Sequence, residues 1–175
     1  MNTRTEAELV EAARNGGVED FGELYRRNYL AAVGVAYCML SDRHLAEDAA
    51  QDAFVIASRE LARLRRADRF GPWICTIAKR VAGRMARSRR ERGVLEDTAA
   101  PAANPQSHSS DLVQQAVQQL PVRGREVVVL HYFTGLSHKE IAAHLGLSSE
   151  AVHGRLVRAR RMLAERLRGN GFGEV

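Results

Sequence analysis

Apolar positions recur at intervals of three and four along most of the chain, and no segment holds a convincing alternation with a period of two. The nearest strand candidate is Val127-Val128-Val129-Leu130, whose neighbours fit a helical period better. The pattern predicts an all-α protein. A first helix covers 4–14, and Asn15-Gly16-Gly17 reads as a turn. A second starts near Glu19 and is expected to direct Phe21, Leu24, Tyr25, Ala32, Val35 and Met39 inward. Ser41-Asp42 breaks it and caps a third helix over 42–64, with Leu45, Ala49, Ala53 and Ile56 as its apolar stripe. Arg65 to Gly71 reads as a basic loop. Pro72 suits the first turn of a fourth helix, where a missing N–H costs nothing, and Ile74, Ile77, Ala78, Val81 and Met85 form its buried face.

The pattern lapses near Gly93. The run from Thr98 to Ser110 holds small and polar residues, two prolines and almost no apolar bulk, too little to offset the entropy of ordering. Two small helical domains, 1–92 and 111–170, are therefore expected on either side of a flexible linker over 93–110. Such an arrangement suits a protein that grips two separated sites.

The second domain carries the sharpest local signal. Ser137 and Glu140 have the spacing of a capping box, and Ile141, Ala142 and Leu145 follow as an inward face. Gly146 suits a left-handed helix end, and Ser148 suits the cap of the next helix. Val152, Leu156, Ala159 and Leu163 then fall on one stripe. A short helix, a glycine turn and a longer helix form a helix-turn-helix pattern. The opposite face presents Glu150, Gly154, Val157 and Arg161, flanked by His153 and Arg158. Such a face suits a major groove, where Arg bonds guanine at two points and Val touches a thymine methyl. The competing interpretation is a helical hairpin with a solvated basic face.

Charge sharpens this picture. The net charge is +5, but residues 1–58 carry 5 Lys/Arg against 10 Asp/Glu, residues 59–93 carry 12 against 3, and residues 139–168 carry 7 against 3. Two basic blocks behind an acidic front favour a polyanion partner, because neutralising phosphates releases condensed counterions. Cys38 and Cys75 sit inside helical patterns with no Cys-x-x-Cys pair, so buried, reduced thiols are expected. No apolar run approaches a membrane span, and the N-terminus shows no signal-peptide pattern, so a cytoplasmic location without membrane insertion is expected. Asp48 and Asp52 lie one turn apart, but the residues around them match no common metal-site motif, so no metal, cofactor or catalytic site is expected.

Three motifs in order resemble the ECF (extracytoplasmic-function) sigma factors of RNA polymerase. Ala46-Glu47-Asp48-Ala49-Ala50-Gln51-Asp52-Ala53-Phe54 is similar to the family's region 2.2. Phe70-Gly71-Pro72-Trp73-Ile74-Cys75-Thr76-Ile77-Ala78-Lys79-Arg80 is similar to the end of region 2.3 and the start of 2.4. Leu120-Pro121, Arg125-Glu126-Val127, Leu136-Ser137, Glu140-Ile141-Ala142, Leu145-Gly146 and Arg155 to Arg160 are similar to region 4.

The resemblance implies a sigma factor that binds core polymerase, through its beta-prime and beta subunits, and promoter DNA. It implies polymerase docking at Glu47, Asp48, Gln51 and Asp52, and minus-ten contacts at Arg65, Arg66, Arg69, Lys79, Arg80 and Arg87. It implies minus-thirty-five contacts at Ser149, His153, Gly154, Arg155, Val157 and Arg158, and it admits an anti-sigma partner. The aromatics Phe70 and Trp73 are expected in the core rather than stacked on bases. The sequence departs from the family's common pattern at three positions: Arg80 replaces Asn, Gly154 replaces a small polar residue and His153 replaces Lys or Arg. The rivals are a stand-alone helix-turn-helix regulator and a metal-dependent nuclease built on Asp48 and Asp52.

Overall fold

The structure, a computed structural model, describes residues 4–91 and 105–169 of the 175-residue chain. The described residues form eight α-helices and short helical turns, with no strand among them. The first four are α1 (Glu6–Arg14), α2 (Val18–Leu40), α3 (Arg43–Glu60) and α4 (Phe70–Glu91). The other four are α5 (Pro105–Gln118), α6 (Val122–Val128), α7 (His138–Leu145) and α8 (Ser149–Gly169). A wide helical turn, Val129–Phe133, prolongs α6, so the valine run is helical as its neighbours indicated.

The chain's local punctuation sets these boundaries. Thr5 and Glu8 cap α1 reciprocally, and Gly16 takes a φ of 93° in the turn before α2. The Asp42 carboxylate accepts the Leu45 amide at 3.1 Å and starts α3. Helices α2, α3 and α4 pack through small residues: Ala31, Ala32, Ala36, Ala46, Ala49, Ala50, Ala53, Ala57, Ala78 and Ala82 are all buried. Side chains this short let the helix axes approach closely. Phe70 plugs the end of the bundle, with its ring 6.4 Å from those of Phe21 and Phe54 and 5.8 Å from that of Trp73. Phe70 is fully buried and Trp73 half-buried, which places both in or against the core.

Two expectations need correction. Met39 was expected inward but is 46% exposed, and its neighbours Val33, Gly34, Val35, Ala36 and Cys38 are buried instead. A single stripe fails because α2 is covered on two sides, by α3 and α4 on one and by the α6–α7 segment on the other. The basic loop ends earlier than expected. A helical turn occupies Ala67–Arg69, and α4 begins at Phe70 rather than beside Pro72.

The expected linker joins the two helical units; residues 93–104 of it lie outside the described residues, and the backbone is helical from Pro105. The two helical units are also in contact, since one continuous core cluster runs from Leu9 through Val81 to Leu130, Ile141 and Ala159.

Candidate polymerase and promoter interface

The helix-turn-helix forms as its sequence signals dictate. The Ser137 hydroxyl accepts the Glu140 amide at 3.3 Å, and the Glu140 carboxylate accepts the Ser137 amide at 2.8 Å. The Ser137 hydroxyl, which donates to the Glu140 carboxylate at 2.6 Å, and after it the Ser137 amide hold the Glu140 carboxyl below the usual carboxylate range. Gly146 ends α7 in the left-handed region, with φ 66°, and the Ser148 hydroxyl accepts the Ala151 amide at 3.1 Å to start α8. Val152, Leu156 and Ala159 are buried beneath α8.

The outer face of α8 carries Glu150, His153, Val157, Arg158 and Arg161, all exposed, with Val157 at 49%. Ser149, Gly154 and Arg155 are half-buried. Arg155 and Arg158 line a shallow groove with Arg123, Leu120, Pro121 and Met162. The Arg158 guanidinium lies back along the helix, with Nη1 3.6 Å from where a Cβ on Gly154 would stand.

The acidic face of α3 is arranged differently from its sequence order. Asp48, Gln51 and Asp52 are exposed, whereas Glu47 is half-buried and paired with Arg43 at 2.9 Å. Three of the four expected docking groups are therefore open to a partner, and the fourth has its charge matched.

The basic surface is split as well. Arg65, Arg66 and Arg69 are exposed on the turn before α4. Arg66 pairs with Asp68 at 2.6 Å, which holds the Asp68 carboxyl below its ordinary value. Thr76, Arg80, Arg84, Arg87 and Arg90 are exposed along α4. Lys79 is not among them, because its ammonium pairs with Glu126 of α6 at 2.7 Å.

Three further positions were missed by sequence reasoning. Glu126 is only 9% exposed, and its signal was a lone carboxylate at the start of an apolar run. His144 is buried where α7 meets α4, with Nδ1 donating to the Glu140 carbonyl at 2.8 Å. Gly34 lies inside α2 with no turn to explain it.

Burial pushes the thiols of Cys38 and Cys75 up to about 12. Near about pH 8 both stay protonated and covered, so Ellman's reagent should react slowly with the native chain. Both thiols should react quickly on unfolding in urea. Fast native reaction would contradict this burial. Among the described residues no group of three or more His, Cys, Asp or Glu is placed to hold a metal ion, and no helix is long and apolar enough to cross a membrane.

Family models match both halves of the chain: sigma-70 region 2 over residues 24–92, and sigma-70 region 4 over residues 110–163. The RNA polymerase sigma factor CarQ of Myxococcus xanthus is 33% identical over 165 residues, covering 90% of this chain and 95% of that protein. The ECF RNA polymerase sigma factor SigM of Mycobacterium tuberculosis is 29% identical over 167 residues, covering 94% and 85%. A structure of CnrH in complex with the cytosolic domain of CnrY superposes with a TM-score of 0.63 at 28% identity, covering 94% of this chain and 97% of that one. CnrH is an RNA polymerase sigma factor of Cupriavidus metallidurans. With both conserved regions matched in order and full-length relatives at this identity, the chain belongs to the ECF group of sigma-70 factors, which bind RNA polymerase and direct transcription initiation.

Proposed function

We propose that the exposed carboxylates of α3 dock on core polymerase while two basic surfaces read the promoter. The turn at 65–69 and α4 meet the minus-ten element, and α8 enters the major groove at minus-thirty-five. The observation that carries this reading is the separation of charge among elements of one chain. Asp48, Gln51 and Asp52 stand open on α3, and the exposed arginines gather on α4 and α8. An acidic face pairs with basic side chains on a protein partner, and arginine faces pair with phosphates and base edges.

In this reading the domains divide at the tether, with 1–92 as the polymerase and minus-ten unit and 111–170 as the minus-thirty-five unit. The chain itself performs no covalent chemistry and works in the cytoplasm beside the nucleoid. A regulatory protein of the anti-sigma kind is a fitting partner, since the similar sigma factor RpoE of Bartonella quintana is seen in complex with the anti-sigma factor NepR.

The test is promoter-directed transcription with purified core polymerase and start-site mapping. A defined start that depends on this chain supports the reading. DNA binding without any association with core would favour the stand-alone regulator instead. The docking face has its own test. Asp48→Lys with Asp52→Lys should weaken core binding by about 10-fold or more, because like charges then face a basic partner surface. Both sites are exposed, so helicity by circular dichroism should not change. Unchanged core affinity in a folded variant would remove α3 as the docking surface.

A further inference from the structure

We infer that α1 is a positioning element for promoter opening: Arg14 and Glu6 hold the two ends of the arginine-bearing connection between α3 and α4 in the shape that meets the minus-ten element. The inference rests on the minus-ten role proposed for that connection and adds the residues that set its geometry.

The connection does not set its own shape. It consists of two three-residue helical turns, Leu61–Arg63 and Ala67–Arg69, with extended backbone at Leu64 and Arg66. Turns this short lack the cooperativity of a longer helix. Arg63, Arg65, Arg66 and Arg69 are all exposed on it, and like charges so close together favour a spread-out chain. Glu60 pairs with Arg63 and Asp68 with Arg66, which offsets part of this repulsion but ties the segment only to itself.

The hold comes from α1. All three guanidinium nitrogens of Arg14 are engaged. Nε donates to the Leu61 carbonyl at 3.3 Å, Nη2 donates to the Leu64 carbonyl, and Nη1 pairs with Glu11 at 2.6 Å. A cation therefore sits where α3 ends, beside carbonyls that carry partial negative charge. At the other end, Glu6 Oε2 accepts the Gly71 amide at 3.4 Å, in the first turn of α4, where an anion is favoured. Glu6 Oε1 accepts from Asn28 Nδ2 at 3.2 Å, and the same nitrogen of this buried residue donates to the Leu24 carbonyl at 2.9 Å. A Cβ on Gly71 would stand 3.1 Å from the Asn28 Oδ1, so a glycine lets α4 start this close to α2. α1 is itself fastened to α2, by Arg27 donating to the Arg4 carbonyl at 2.8 Å and by the Arg4–Asp20 pair at 2.6 Å.

α1 is a poor DNA ligand in its own right. Leu9 and Val10 are buried, and Glu6, Glu8 and Glu11 give the helix carboxylates that repel phosphates. Arg14 has no nitrogen left to offer. Its effect on DNA passes through the connection, which would otherwise lose its freedom on binding and hold separated strands less tightly.

The experiment uses the full-length chain bound to core polymerase. The probe is a single-stranded oligonucleotide, the minus-ten segment of the non-template strand of a promoter found by start-site mapping. Arg14→Ala should weaken its binding by about 10-fold or more, while affinities for core and for the minus-thirty-five duplex stay within about twofold. A bundle that was merely weakened would lose core affinity as well. Arg14→Lys should recover part of the loss, since an ammonium reaches one carbonyl but cannot fork between two. In the free chain, Arg14→Ala should speed amide hydrogen exchange over residues 64–71 by about 10-fold or more and leave α2 unchanged.

If Arg14→Ala loses helicity, Arg14→Lys and Glu6→Gln decide the matter, each expected to weaken oligonucleotide binding by about threefold with core affinity kept. The inference is overturned if a folded Arg14→Ala binds the oligonucleotide within about twofold of the wild type, or loses core affinity equally. It is also overturned if exchange over 64–71 does not change. Arg65→Ala with Arg69→Ala is measured beside it. If that double variant weakens oligonucleotide binding and Arg14→Ala does not, α1 is no positioning element and the minus-ten reading stands. If neither does, the minus-ten reading fails and this inference fails with it.

Discussion

Phe70→Ala should destabilise the α1–α4 bundle by about 3–5 kcal/mol, the usual cost of truncating a fully buried aromatic. Phe70 has no exposed surface and touches a cluster of rings drawn from three helices. Its removal leaves a void that Phe21, Phe54 and Trp73 cannot fill without leaving their rotamers. Domain stabilities are about 5–15 kcal/mol, so the loss is a large fraction of the whole. Trp73 is the only tryptophan and lies against Phe70, so its fluorescence reports this unfolding directly. The measurement is a urea titration followed at Trp73 and by circular dichroism. Phe70→Leu should cost clearly less, because most of the volume is kept. A loss below about 1 kcal/mol for the alanine variant would mean that the site collapses freely and that Phe70 does not organise the bundle end. Phe70 also starts α4 directly after the turn that carries Arg65, Arg66 and Arg69, the surface proposed for the minus-ten element.

The parts of this protein that were legible in the sequence are those governed by neighbours. The cap at Asp42, the box of Ser137 and Glu140, the left-handed Gly146 and the stripe Val152-Leu156-Ala159 each depend on residues within a turn or two. Helix type and boundary therefore emerged largely correct. Pro105 suits a first helical turn, and α5 begins there although the segment after it is poor in apolar residues.

What the sequence did not disclose is which faces meet across the chain. Gly34 and Leu130, and Lys79 and Glu126, are joined by packing rather than by spacing. Periodicity states that a helix has a buried side but not what covers it. The inward placement of Met39 failed on this point, and the pairing of Lys79 with Glu126 could not be read from spacing. The exposure of Asp48, Asp52, Arg80, Arg87 and Arg158 was legible, because a solvent face is predicted by the absence of packing and needs no partner to be identified.

Arg158→Ala and Arg155→Ala should differ in kind. Arg158 is exposed on α8, and its guanidinium runs along the helix over Gly154, toward the N-terminal end that we propose enters the groove. Gly154 leaves the space for this course, and a bulkier residue there would lift the guanidinium away. Arg155 is half-buried and lines the groove beside Arg123, Leu120 and Pro121, a position suited to bracing a phosphate. A bidentate contact to guanine is worth about 1–3 kcal/mol of discrimination, so Arg158→Ala should lose that much on the preferred minus-thirty-five sequence and relax the choice at one base pair. Arg155→Ala should weaken all sequences alike and reduce the slope of log K against log salt by about one unit. The measurement compares both variants with the wild-type chain on a set of minus-thirty-five duplexes at several salt concentrations, each bound to core polymerase. If Arg158→Ala lowers binding uniformly and leaves the ranking of duplexes intact, its guanidinium holds a phosphate. Base choice then falls to His153 and Val157, the other exposed side chains on that face, or to the shape of the duplex.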